Sequence, residues 1–203
     1  MGSKGYAGNI LYVDLTKGKS KSEPLNTDVA RRFIGGWGMN AKLAYDNIKP
    51  GYAPYDPQNA LIFGAGILAG TSSPSASKAF LTTKDPTSGT VCTAVGGYSF
   101  GAQMKWAGYD HMVITGKAKK PVYIYIKDDQ VAIKDASHIW GKDLFESYDI
   151  LRKEHGGICS IVSIGPAGEK KVGISEVYVN KIVTLGRSFG GVFGSKNLKA
   201  IVV

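Results

Sequence analysis

Over residues 9–15 (NILYVDL) apolar and polar side chains alternate, residues 16–19 make a turn, and residues 20–25 return, which predicts a β-hairpin. Asn26 or Thr27 then caps a helix that carries Val29, Phe33 and Ile34 on one side. The run Gly35-Gly36-Trp37-Gly38 interrupts that helix, and a further helix is expected over 39–46. After a loop rich in proline and tyrosine, a short buried strand runs over 60–66 into glycine. Strands at 78–83 and 90–94 flank a turn at 84–89, signalled by Asp85-Pro86 and Ser88-Gly89. A short amphipathic helical turn at 102–108 and a strand at 111–116 complete the series.

The pattern then begins again. Strands at 122–127 and 130–135 form a hairpin around Asp128-Asp129, a helix follows over 143–155, and a buried strand covers 158–164. A strand at 172–179, a glycine loop at 186–194 and a last strand at 198–203 close the chain. Leu11 answers to Val122, Gly66 to Pro166, and Ser99-Phe100-Gly101 to Ser188-Phe189-Gly190, with the order kept. The expected fold is α+β: two mainly antiparallel β-sheets with few helices, from internal duplication of a hairpin–helix–strands unit about a pseudo-two-fold axis. Its halves cover about 5–116 and 121–203 of a single domain, 5–203, and residues 1–4 (MGSK) read as an expression leader outside it.

The stretch 91–110 holds the first candidate chemistry. Gly96 and Gly97 sit among small residues before the short helical turn, and glycine lets another group approach the backbone. A bend of this kind leaves main-chain N–H groups free for an anion such as phosphate. Its echo is the run from Gly186 to Gly191. Across a pseudo-dyad the two bends would present similar surfaces to a ligand with two phosphate-bearing lobes; ordinary tight turns in a purely architectural duplication are the alternative. Lys78 and Arg187 are the cations placed beside these small-residue loops, and both are candidate phosphate partners, set against a surface salt bridge for each.

Charge and composition narrow the classes. The formal net charge of +9 asks for an anionic cofactor or an acidic partner, but the lysines and arginines are scattered at turns without an aromatic-plus-basic motif, which argues against nucleic acid. No apolar run nears the ~20 residues that span a bilayer, and no secretory leader opens the chain, so no membrane partner and a cytoplasmic location are expected. Cys92 and Cys159, with His111, His138 and His155 far apart, make neither a disulfide framework nor a metal set. No nucleophile elbow, phosphate-binding Walker loop or acid/base pair stands out, so no catalytic residue is assigned.

Several phrases, namely 8–16 (GNILYVDLT), 84–89 (KDPTSG), 105–110 (KWAGYD), 121–141, 164–169 (IGPAGE) and 194–202 (GSKNLKAIV), resemble the N-terminal domain of the tungsten-containing aldehyde ferredoxin oxidoreductases. Residues 35–42 (GGWGMNAK) are also similar to the tungsten subunit of the benzoyl-CoA reductases. The resemblance implies two related halves on two sheets, forming the base for a tungsten ion held by two pterin dithiolenes. It places cofactor contacts at Lys78, Val95, Gly97, Val183, Thr184 and Gly186, to which the bends themselves add Gly96 and Arg187. Valine stands at 95 and 183 where the family has asparagine and arginine, lysine stands at 78 for arginine, and the last glycine loop is one residue shorter after Arg187. The resemblance further implies a 4Fe-4S cluster and most of the substrate pocket in later domains of the same enzyme. It implies aldehyde oxidation to carboxylic acid with ferredoxin as electron acceptor, a domain inactive alone, and a homodimer as one assembly. A cofactor-free scaffold or subunit-interaction domain is the alternative.

Overall fold

Inward-pointing side chains at every second position decide the architecture. The computed structural model describes residues 5–203; the leader expected at 1–4 lies outside them. The first series forms β1 (Asn9–Asp14), β2 (Lys19–Pro24), α1 (Thr27–Phe33), α2 (Gly36–Asn47), β3 (Leu61–Ala65), β4 (Ala79–Lys84), β5 (Val91–Gly96), α3 (Phe100–Trp106) and β6 (His111–Thr115). The second forms β7 (Val122–Lys127), β8 (Gln130–Asp135), α4 (Leu144–His155), β9 (Ile161–Ile164), α5 (Pro166–Glu169), β10 (Val177–Val179), β11 (Val183–Gly186), α6 (Gly190–Ser195) and β12 (Leu198–Val202).

Each series makes one six-stranded sheet, ordered β2-β1-β6-β3-β4-β5 and β8-β7-β12-β9-β10-β11. The two orders are the same when the strands are matched in turn. Only β1–β6 and β7–β12 run parallel; the other pairs are antiparallel. The fold is thus α+β with few helices, as the pattern predicts. No helix among the described residues is long and apolar enough to cross a membrane.

Alternation sorts the strand residues between layers. Leu11, Val13, Leu61, Phe63, Met112 and Ile114 face inward and meet Ile124, Ile126, Val162, Ile164 and Ile201 of the other sheet. Their neighbours Ile10, Ile62 and Val113 face outward under α1 and α2, while Tyr123, Ile161 and Val202 pack under α4. Phe63 sits at the junction, its ring 5.4 Å from Phe100 of α3 and 6.1 Å, edge-on, from Phe193 of α6. Truncating a buried phenylalanine of this kind costs about 3–5 kcal/mol.

Four local expectations are corrected. The helix does break before the glycine run, at Ile34-Gly35, but the next helix, α2, opens at Gly36 rather than at 39. A Cβ at Gly36 would fall 2.6 Å from the Phe80 ring and one at Gly38 2.2 Å from the Phe33 carbonyl oxygen, so glycine there permits close packing. The strand expected over 172–179 shrinks to β10, because Val172 and Ser175 donate to Ala167 and Val172 in a tight turn. The glycine loop at 186–194 is the end of β11 followed by α6. The duplication also shifts: Leu11 is matched by Ile124, third in its strand, and Ser99 by Phe189, each at the N-cap of its helix.

Polar fasteners complete the packing, and they lie in the signature phrases. Lys105 and Asp110, buried 4.0 Å apart, hold Gly5, Ala7, Gly8 and Ile67 through backbone hydrogen bonds. Lys199, the extra residue of a bulge in β12, pairs with buried Glu169, which also accepts from the Gly141 amide. Lys196 donates to the Pro57 carbonyl at 2.8 Å, and burial pushes its ammonium down to about 7. On the outer side of the first sheet, Asn40 donates to the Ile62 carbonyl at 3.0 Å and lies 2.9 Å from His111 Nδ1.

Two expectations follow. Burial, helped by the Lys105 charge, pushes His111 down to about 4, so the folded state keeps it neutral while the unfolded chain protonates near 6.5. Stability is therefore lost as pH falls from 6.5 towards 4, by up to roughly 3 kcal/mol. Thermal unfolding against pH should show this slope, and His111→Gln should remove its share. At the sheet edges, Gly96→Ala should cost about 1–3 kcal/mol, because the new methyl meets Leu185 at 2.9 Å and the Thr184 carbonyl at 3.1 Å. Gly97→Ala, with only the Lys78 ammonium at 3.8 Å, should leave the unfolding midpoint within a degree or so.

Candidate functional site

β5 and β11 are the last strands of their sheets, and they abut. Gly96, at the end of β5, is buried against Leu185 and the Thr184 carbonyl of β11, an approach that any side chain would block. The two predicted bends therefore lie side by side, and the residues that project from them share one surface.

On the first bend, Gly97 follows the strand and keeps its backbone open. The nearest atom to the place of its Cβ is the Lys78 ammonium, 3.8 Å away. Lys78 is exposed and stands just before β4. Its carbonyl oxygen would lie 3.0 Å from a Cβ on Gly101, so α3 rests directly on the Lys78 backbone. Tyr98 comes next, at a φ of 70°. A left-handed conformation costs a non-glycine residue about 1–2 kcal/mol, so the surroundings must hold it.

On the second bend, Ser188 takes the matching position at a φ of 65°. Its hydroxyl donates to buried Asp85, which also accepts from the Ser88 amide at 2.9 Å and the Thr87 hydroxyl at 2.5 Å. Burial raises the Asp85 carboxyl, but hydrogen bonds from Ser188, Thr87 and Ser88 outweigh it and hold it below the usual carboxylate range. The first bend is held in the same fashion. Ser99 occupies the N-cap of α3 without capping it; its hydroxyl instead accepts from Asn180 Nδ2 at 3.2 Å.

The remaining predicted residues divide. Val95 is 52% exposed and Val183 half-buried, and neither offers a polar side-chain atom. The Thr184 hydroxyl donates to Glu176 at 3.2 Å, beside the Tyr178 hydroxyl on the same carboxylate. Gly186 is buried, and a Cβ there would strike the Phe189 ring at 2.5 Å, so its missing side chain serves the loop's own packing. Arg187 is 88% exposed, with Nε 3.5 Å from Glu176, a contact worth about 0–1 kcal/mol that leaves the guanidinium available. Among the described residues no three of His, Cys, Asp or Glu gather into a metal-ligating group.

Two features escape a linear reading. Asp85 follows β4 and Asn180 follows β10, yet each one's partner lies in the other half of the chain. A largely apolar groove of about 570 Å³ also opens beside Lys78, walled by Phe33, Ile34, Trp37, Leu68 and Phe80. Its walls come from three separate segments. Only the Asp-Pro turn signal at 85–86 hints at the first feature, and no local signal marks the groove.

Comparison with known proteins bears on this surface. Residues 10–203 match the family model described as aldehyde ferredoxin oxidoreductase, N-terminal domain. The chain is 44% identical over 98% of its length to the tungsten-containing aldehyde ferredoxin oxidoreductase of Pyrococcus abyssi (strain GE5 / Orsay), covering 33% of that protein. It is 35% identical over 97% of its length to the WOR-like subunit of an aliphatic sulfonate oxidoreductase of Pyrococcus furiosus, covering 34% of it. Among solved structures, the active site complex BamBC of benzoyl coenzyme A reductase, in complex with 1,5 dienoyl-CoA, matches with a TM-score of 0.95 at 35% identity. That match covers 98% of this chain and 31% of the other. The chain spans about a third of the length of the curated relatives it matches. With the doubled sheets and nearly all of its length inside one family model, this chain belongs to the aldehyde ferredoxin oxidoreductase family, as its N-terminal domain.

Proposed function

We propose that this chain is the pterin-binding base of a tungsten oxidoreductase, and that the paired bends at the β5/β11 edge take the cofactor. The single observation that carries this reading is the Lys78 ammonium standing over the open Gly97 backbone. A cation beside exposed main chain suits the phosphate end of a pterin, since charge-assisted hydrogen bonds are about twice as strong as neutral ones. Arg187, exposed and barely engaged, is the counterpart on the second bend. The donor set thus fits an anionic, two-lobed ligand. Val95 and Val183 add only apolar contact, and Gly186 backs the surface rather than touching the ligand. Residues 5–203 act as one domain in this reading, with the halves on either side of the residue 116–121 connection.

When bound, the cofactor supplies two-electron redox chemistry that no side chain here provides. The chain's own residues bind and orient. Lys78 neutralises charge at one end, Gly97 lets the ligand approach the backbone, and Gly96 keeps the two bends at fixed spacing. In the whole enzyme the reaction is oxidation of an aldehyde plus water to a carboxylic acid, two electrons and two protons. A 4Fe-4S cluster held by the remaining domains would supply the path for those electrons to ferredoxin. The chain's likeness to tungsten-containing aldehyde ferredoxin oxidoreductases supports tungsten and this reaction class.

A second reading, a cofactor-free scaffold that meets other domains or subunits, is favoured by the apolar side chains at 95 and 183. Metal and pterin content separates the two. The full-length protein from its native host should carry tungsten and pterin. Lys78→Met should lower pterin retention about tenfold without moving the unfolding midpoint of the cofactor-free protein, and Lys78→Arg should restore it. A wild-type protein without tungsten or pterin favours the scaffold, whereas a Lys78→Met protein that retains both overturns the role given to Lys78.

A further inference from the structure

Resting on the pterin-base reading, we infer that Asp85 and Asn180 are a matched pair of positioning residues, each anchored in one half and holding the ligand-facing bend of the other. The two stand at equivalent places, immediately after β4 and after β10. Each is fixed within its own half. Asp85 is held by the Ser88 amide and the Thr87 hydroxyl, and Asn180 Oδ1 accepts from the Ile161 amide at 2.7 Å. Each then reaches across. Asp85 accepts from Ser188, 103 residues away, and Asn180 donates to Ser99, 81 residues away.

The reciprocal geometry argues against two incidental buried hydrogen bonds. The bonds fasten the residues at or next to the two left-handed positions, Ser188 and Tyr98, where the backbone needs support. Ser99 departs from its ordinary work to do so. Serine at an N-cap usually accepts from its own helix, and here it accepts from Asn180 instead. Bends fixed before a ligand arrives spare the cost of ordering them on binding. Asp85 and Asn180 touch no ligand themselves; they act through the bends.

Crossed fastening makes a crossed prediction. In the full-length protein, amide hydrogen exchange is followed in peptides spanning 94–104 and 183–192, with and without cofactor. Asp85→Ala, in the first half, removes the acceptor of the Ser188 hydroxyl 103 residues away, whereas a merely structural role predicts loosening only around residue 85. The inference predicts exchange about fivefold faster at 183–192 in the cofactor-free protein and unchanged at 94–104. Asn180→Gly, which keeps the left-handed backbone at 180 accessible, should quicken 94–104 instead, and both variants should shed pterin several-fold faster than wild type. Unchanged exchange, or both bends responding alike to either variant, overturns the inference. So does altered exchange with pterin retention like that of wild type. A wild-type protein devoid of pterin overturns the function proposed above and with it the positioning role, while the exchange pattern still reports whether the clasp exists.

Discussion

The absence of one methyl group, at Gly96, sets how closely the two sheets can meet. A Cβ there would stand 2.9 Å from Leu185 and 3.1 Å from the Thr184 carbonyl, so glycine lets β5 come against β11. Everything on the candidate surface follows from that spacing. The inner faces are drawn together by their apolar residues, with the rings of Phe100 and Phe193 tilted and edge-on against Phe63 where the two halves cross. That burial is non-directional and would tolerate sliding. The contact at Gly96 fixes the edges, and it brings Gly97 and Arg187 onto one surface.

Directional interactions then convert a packed pair of sheets into a defined site. Most are polar groups buried with a partner: Lys199 with Glu169, Lys105 with Asp110, Asn40 with His111. Such pairs add little net stability, because desolvation offsets much of their attraction. They do tie loops distant in sequence to particular atoms, as Lys196 ties the residue 50–59 loop to the end of α6. The phrases that make the chain recognisable are largely these fasteners. The candidate surface carries fewer distinctive side chains and relies on backbone.

Much of the fold was legible in the sequence. Period-two alternation and turn residues are local signals, and both hairpins, the N-cap at Asn26 and the short helix after Gly97 follow from them. The misread segments are those where local signals mislead. Glycine at 36 and 38 reads as a helix breaker but answers to Phe80 and Phe33, contacts invisible in one dimension. α6 is six residues long and half of them are glycine, too short and too poor in side chains for a helical period. The first hairpin turn spans more residues than its counterpart at Asp128-Asp129, which displaces the apparent match of Leu11 from Ile124 to Val122. On the candidate surface, Lys78 and Gly97 stood out because small residues flank them, and the structure places the Lys78 ammonium beside the open Gly97 backbone. Gly186 looked equivalent and is not, since Phe189 fills its place. Asp85 and Asn180 could not be paired with their partners, because nothing local connects residues 103 and 81 positions apart.

In the function proposed above, a tungsten-bearing, phosphate-rich ligand lies over the β5/β11 edge between Lys78 and Arg187. Anomalous diffraction at the tungsten absorption edge, from crystals of the full-length protein purified from its native host, tests it most directly. A single strong tungsten peak is expected above the β5/β11 edge, with phosphate density reaching the Lys78 ammonium. A peak elsewhere, or tungsten bound with the Lys78–Gly97 surface covered by protein, would contradict it.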